Sequence, residues 1–176
     1  MSSAAKAVFL DRDGVINRRP PEGLYIGSVA EFAILPGVSE AIAKLNQRGY
    51  LVFVVTNQRC IARGIVPADS VEQLHQHLLR ETAASGAHIT HVYVCPHDYA
   101  DACECRKPNP GMLLEAARSY SLDMTRSWMV GDSPSDIAAG RAAGCRTVFL
   151  GGDKEVQTDI NATALADAVE KILALE

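Results

Sequence analysis

Short, almost unbroken apolar runs alternate along the chain with longer stretches whose apolar residues recur every three or four positions. The runs at 7–10, 51–56, 89–94, 127–130 and 146–150 predict five strands buried on both faces. Val38, Ala41, Ile42 and Leu45 mark one face of a first helix, introduced by Pro36-Gly37 and stopped near Gly49. Val71, Leu74, Leu78 and Leu79 mark a second, with Gly86 just past its end. Residues 112–120, 134–143 and 164–175 supply three more. Strands alternating with helices need crossover connections, which predict a parallel sheet covered on both faces, an α/β fold. No repeat, low-complexity tract or linker interrupts the pattern, so residues 1–176 are expected to form a single domain.

In such sheets chemistry gathers at the carboxyl edge, where strands end. Asp11 and Asp13 follow the first strand run, Thr56 and Asn57 end the second, Cys95 and His97 follow the third, and Asp132 follows the fourth. Asp11-Arg-Asp-Gly14 puts two carboxylates beside a glycine that permits a sharp backbone departure. One carboxylate can attack phosphorus or hold a cation while the other moves a proton; the same residues can also simply form a turn. Gly131-Asp-Ser-Pro-Ser-Asp136 adds Asp132 just before a helix that starts at Pro134 with Ser133 as its N-cap. Carboxylates gathered at one edge repel one another unless a cation joins them, and hard oxygen ligands point to Mg²⁺. Thr56-Asn57-Gln58 brings hydroxyl and amide donors, and Arg106-Lys107 brings positive charge, the set that phosphoryl transfer requires.

Cys95, His97, Cys103 and Cys105 supply three sulfurs and one imidazole within a loop that has no apolar period. Soft ligands at a four-coordinate count suit structural Zn²⁺, and a loop that buries little apolar surface can take its order from the metal.

Composition narrows the classes. Of 176 residues, 48% are hydrophobic and 22% charged, an ordinary globular balance. The formal net charge of −4 is poor material for a nucleic-acid binder. No apolar run approaches the roughly 20 residues of a membrane helix. The five cysteines are odd in number, and the first residues carry no secretory pattern, so a reduced, cytoplasmic protein is expected. A monomer is the expected working form, and a family resemblance carried by the residues above implies a small phosphorylated sugar as its substrate.

The segment Asp11-Arg-Asp-Gly, Thr56-Asn, Lys107 and the Gly131-Asp-Ser-Pro-Ser-Asp136 segment together resemble the haloacid dehalogenase superfamily. The resemblance implies a Rossmann-like sheet, with no insertion large enough for a separate cap domain. It implies that Asp11 forms an aspartyl-phosphate and that Asp13 serves as general acid, then base. Mg²⁺ would sit on the carboxylates of Asp11 and Asp132 and the backbone carbonyl of Asp13. Thr56 and Lys107 would bind the transferring phosphoryl group, with Asp136 orienting the site from outside the metal's ligands. The cysteine loop, Ile61-Ala-Arg-Gly64 and Lys107-Pro-Asn-Pro-Gly-Met112 are similar to the D-glycero-D-manno-heptose 1,7-bisphosphate phosphatases. The five-residue spacer between His97 and Cys103 resembles the related histidinol-phosphate phosphatases. The heptose family usually has Lys where this chain has Ser133, and Ser-Gly where it has Arg59-Cys60; Arg59, Arg18 or Arg19 would replace the lost charge. Arg106, directly after the last zinc ligand, is assigned to a substrate's non-reacting phosphate or sugar. Asn57 joins Thr56 as a substrate-binding residue. The alternative activities are a histidinol-phosphate or other small phosphomonoester phosphatase and, from another class, a non-catalytic zinc-bearing binding module.

Other residues are given structural roles. His75 and His77, two apart on a helix, are expected at the surface on different faces. His88 and His91 flank a strand, Cys145, Trp128 and Phe149 belong to the core, and Gly151-Gly152 is a loop rather than a nucleotide fingerprint.

Overall fold

The computed structural model describes residues 4–151 and 156–175. Six strands form one parallel sheet: β1 (Lys6–Leu10), β2 (Tyr50–Asn57), β3 (His91–Cys95), β4 (Trp128–Gly131), β5 (Arg146–Leu150) and β6 (Ile160–Ala162), in the order β3-β2-β1-β4-β5-β6. Five helices connect or flank them: α1 (Val38–Gln47), α2 (Ala68–Ala84), α3 (Gly111–Tyr120), α4 (Pro134–Ala142) and α5 (Leu165–Leu173). The alternation along β1 shows why both faces are apolar. Val8 and Leu10 pack in a layer with Ile42 of α1, Leu78 of α2 and Val169 of α5, while Ala7 and Phe9 face Leu113 of α3 and Ala139 of α4. This is the expected Rossmann-like sheet with a helical layer on each side. Gly152 lies outside the described residues.

Three details differ from the expectation. The third strand begins at His91 rather than residue 89, because its ladder with β2 starts at the His91–Phe53 pair. Ser127 lies outside β4; its hydroxyl accepts from the Ala7 amide at 2.9 Å. A sixth strand, β6, was not foreseen; it pairs with β5 at the sheet edge through three residues.

Strand order decides where the chemistry meets. β1 lies between β2 and β4, so their carboxyl ends bring Asp11, Thr56 and the Gly131-Asp132 turn to one stretch of edge. The chain leaves that edge through Gly14, whose φ of 97° is left-handed. A side chain there would also collide with the Asp132 carboxylate. Among the described residues no helix is long and apolar enough to cross a membrane.

Candidate active site and metal centres

Lys107 stands at the middle of the edge cluster. Its ammonium donates to Asp11 Oδ1 at 2.7 Å and to the Val55 carbonyl at 2.8 Å, and it pairs with Asp136 Oδ1 at 2.6 Å. Those three contacts use all three donors of the side chain. Its backbone is pinned as well: the Lys107 amide donates to Asn57 Oδ1, and Asn57 Nδ2 donates to the Lys107 carbonyl. One N–H and the oxygen of the Asn57 amide therefore position Lys107, a role beyond the substrate binding expected of it.

One cation between two carboxylates leaves an excess of negative charge. Burial, outweighing the opposing Lys107, pushes the Asp11 carboxyl up from its ordinary value, and the Asp136 carboxylate adds to the push. Burial likewise raises Asp132 to about 6, although Arg19 donates to its Oδ1 at 2.8 Å. Arg19 thus brings a cation to Asp132, next to Ser133, one of the replacements expected for the lost charge. Carboxylate oxygens of Asp11, Asp132 and Asp136 all lie within 4.8 Å of one another, and the missing side chain of Gly14 lets the Asp132 carboxylate approach. Asp136 is otherwise engaged: its Oδ1 is on Lys107, and its Oδ2 accepts from the Ser133 amide and hydroxyl at the start of α4. Hard oxygens and crowded negative charge at one strand edge fit a Mg²⁺ ion.

Asp13 is held differently. Burial alone would raise it, but the Arg12 guanidinium, Asn17 and Gln58 outweigh burial and keep its carboxyl below the ordinary range. Arg12 Nη2 donates to Oδ1 and Oδ2 at 3.0 and 2.9 Å, Asn17 Nδ2 to Oδ1 at 2.9 Å, and Gln58 Nε2 to Oδ2 at 2.9 Å. Gln58 also donates to Thr56 Oγ1 at 2.8 Å, tying the two strand ends together. Arg12, Asn17 and Gln58 stand in the quoted motifs without an assigned role. Their signal lay in the motif positions themselves.

The sulfur cluster forms a separate pocket beside this one. Cys95 closes β3, and the loop returns Cys103 and Cys105 to it. The sulfur pairs lie 3.0, 3.4 and 3.6 Å apart, and His97 Nδ1 lies 3.2 Å from Cys105 and 3.7 Å from Cys95. A tetrahedron with Zn–S bonds of about 2.3 Å has sulfur edges of roughly 3.7 Å, so the four groups fit that ion with small adjustments. Arg106 follows the cluster. Its Nη1 donates to the His97 carbonyl at 3.1 Å, and its guanidinium lies 4.2 Å from the exposed Tyr99 ring. Arg59 stacks on the same ring at 5.0 Å.

The search for relatives bears on the same residues. A HAD-hydrolase-like family profile matches residues 104–174. The D-glycero-beta-D-manno-heptose-1,7-bisphosphate 7-phosphatase of Rhodopseudomonas palustris is 46% identical over 145 residues, covering 78% of this chain and 79% of that one. The chain belongs to the heptose 1,7-bisphosphate 7-phosphatase family, phosphoric monoester hydrolases of the haloacid dehalogenase superfamily. The corresponding alpha-heptose enzyme of Campylobacter jejuni is 39% identical, covering 88% of this chain and 87% of that one. The fold agrees with a crystal structure of the B. bronchiseptica family member complexed with magnesium and phosphate. The TM-score is 0.86 at 34% identity, covering 97% of this chain and 99% of that one.

Two expectations about histidines need correction. His75 is buried, because Val71, Leu74 and Leu78 turn its side of α2 inward. Its Nε2 lies 3.1 Å from Arg12 Nη1, so it reaches the site. His77 is half-buried and meets the Phe32 ring edge-on. His88 is exposed and His91 meets the Tyr93 ring edge-on, while Cys145, Trp128 and Phe149 are core residues as expected.

Proposed function

We propose that this chain removes the 7-phosphate of D-glycero-D-manno-heptose 1,7-bisphosphate, with Asp11 as nucleophile. The observation that carries the reading is the buried Lys107 ammonium, 2.7 Å from the Asp11 carboxylate at the meeting point of three strand ends. That charge falls where the phosphoryl group must arrive, and the Thr56 hydroxyl stands at the end of β2 beside it. A bound Mg²⁺, on the Asp11 and Asp132 carboxylates and the Asp13 carbonyl, would supply charge neutralisation for the phosphoryl oxygens.

The reaction then divides in two. An Asp11 oxygen forms a bond to phosphorus as the bond from phosphorus to the sugar oxygen breaks, and Asp13 gives its proton to that oxygen. Water next attacks phosphorus, its proton passes to Asp13, and the Asp11 carboxylate leaves with inorganic phosphate as the other product. The grip of Arg12, Asn17 and Gln58 on Asp13 favours the ionised, proton-accepting form. Arrival of an anionic phosphate opposes that grip and favours the protonated form needed first.

Arg106 is assigned to the phosphate that does not react, anchored by the His97 carbonyl and Tyr99. Zn²⁺ on Cys95, His97, Cys103 and Cys105 would fix that loop. We read residues 1–176 as one catalytic domain working as a monomer. A reducing cytoplasm suits thiolate ligands. The test is phosphate release, in Mg²⁺, from heptose 1,7-bisphosphate, heptose 1-phosphate and histidinol phosphate. Preferential turnover of the bisphosphate supports the reading; preference for histidinol phosphate transfers the assignment to that activity.

A further inference from the structure

His75 is a buried titratable side chain that the reaction scheme leaves unused. It sits on α2, sixty-three residues from Arg12, and its Nε2 is 3.1 Å from Arg12 Nη1. Arginine is a donor only, so this contact makes Nε2 the acceptor and puts the ring proton on Nδ1. Nδ1 is itself buried with no hydrogen-bond partner among the described residues. Leaving a polar atom unpartnered costs stability, and an apolar residue on the same helix face would avoid that cost. The arrangement is accounted for by what the other nitrogen does. Arg12 is 1% exposed, with Nε and Nη2 on Asp13 and the Phe32 ring 5.7 Å away. Arg12 is thus closed to bulk solvent, and the acceptor found at Nη1 is His75 Nε2.

We propose that His75 is a positioning residue for proton transfer: by accepting from Arg12 Nη1 it holds the guanidinium fork, and through it the Asp13 carboxyl, in line with the leaving oxygen. Burial, joined by the charge of Arg12, drives the imidazole down to about 3, so it remains a neutral acceptor throughout the working range. Without it, Nη1 is buried and unpaired, and the guanidinium swings away from Asp13 to find a partner. The proposal rests on Asp13 as the acid and base of the proposed function.

The test compares His75→Leu, His75→Gln and Asp13→Asn, each loaded with Mg²⁺, in single-turnover phosphorylation. The substrates are heptose bisphosphate and an aryl phosphate whose leaving group needs no proton. His75→Leu should slow the sugar reaction by ~10–100-fold and the aryl reaction by less than ~5-fold, with KM little changed. His75→Gln, whose side-chain oxygen can accept in the same place, should stay within ~3-fold of wild type on both. Equal losses on the two substrates, or none, for His75→Leu overturn the proposal while Asp13→Asn retains its leaving-group dependence. If Asp13→Asn shows no such dependence, the acid–base reading of Asp13 fails instead. Nitrogen NMR of the wild-type holoenzyme decides the matter even if His75→Leu unfolds. The expected signature is a protonated Nδ1 and a bare Nε2, and a proton on Nε2 overturns the proposal.

Discussion

The carboxylate cluster draws Asp11 and Asp132 from strand ends 121 residues apart, whereas the sulfur cluster takes four ligands from the eleven residues 95–105. The first exists only once β1, β2 and β4 have paired, and the apolar layers hold its charges together against their repulsion. The second has little apolar surface behind it: Cys103 and Cys105 are only half-buried, and Tyr99 is exposed. The carboxylates are thus carried by the fold, while the thiols and the imidazole stand together in one loop. Lys107 joins the two, lying two residues beyond the last thiol and reaching back to Asp11.

The largest expected effect tests the fold-borne cluster. Asp11→Asn should reduce turnover by at least ~10⁴-fold with little loss of melting temperature, because amide and carboxylate have nearly equal volumes and Lys107 keeps Asp136. Residual activity above about a hundredth of wild type excludes covalent catalysis by Asp11. Cys103→Ser tests the loop-borne cluster. It should lower zinc content, measured by elemental analysis, and lower Tm by ~5 °C or more. Unchanged melting and activity in zinc-free protein would show that the loop needs no metal.

A smaller effect is expected where the clusters meet the substrate. Arg106→Ala should raise KM for heptose bisphosphate, relative to a monophosphate, by ~1.5–3 kcal/mol of lost charged hydrogen bonding. Equal weakening of both substrates removes the remote-phosphate role. The smallest effect concerns pH in zinc-loaded, magnesium-free protein. Asp11 and Asp132 are raised to about 7 and about 6, so the fold favours their protonated forms. That contribution is present at low pH and is lost as pH rises through 6 and 7. Asp13 is shifted down, so its contribution is already complete below this window. Melting temperature should therefore fall by ~2 °C or more from pH 5.5 to 8, and Mg²⁺ should restore it at pH 8. A flat profile would mean that burial does not hold Asp11 and Asp132 toward their protonated forms.

Legibility followed the same division. The parallel sheet was readable because each central strand is an apolar run; the carboxylate cluster was readable because its residues follow strand ends, and the sulfur cluster because its four residues fall within one short loop. β6 was not: Ile160–Ala162 has one polar residue between two apolar ones, too short for any period to register. His75 was missed because spacing compares a histidine only with neighbours on its own helix, and its partner Arg12 comes from the far end of β1. The positioning role of Asn57 was hidden for a related reason: its contacts to Lys107 join residues fifty apart in the sequence.

The double anchoring of Lys107 has a consequence for affinity. A long, four-carbon side chain normally surrenders up to about 2 kcal/mol of rotamer entropy when it is fixed. Here that freedom is surrendered when the chain folds, to Asp11, Asp136, Val55 and the Asn57 clamp. Phosphate arriving at Asp11 meets an ammonium already immobilised, so none of that entropic cost is charged to the encounter.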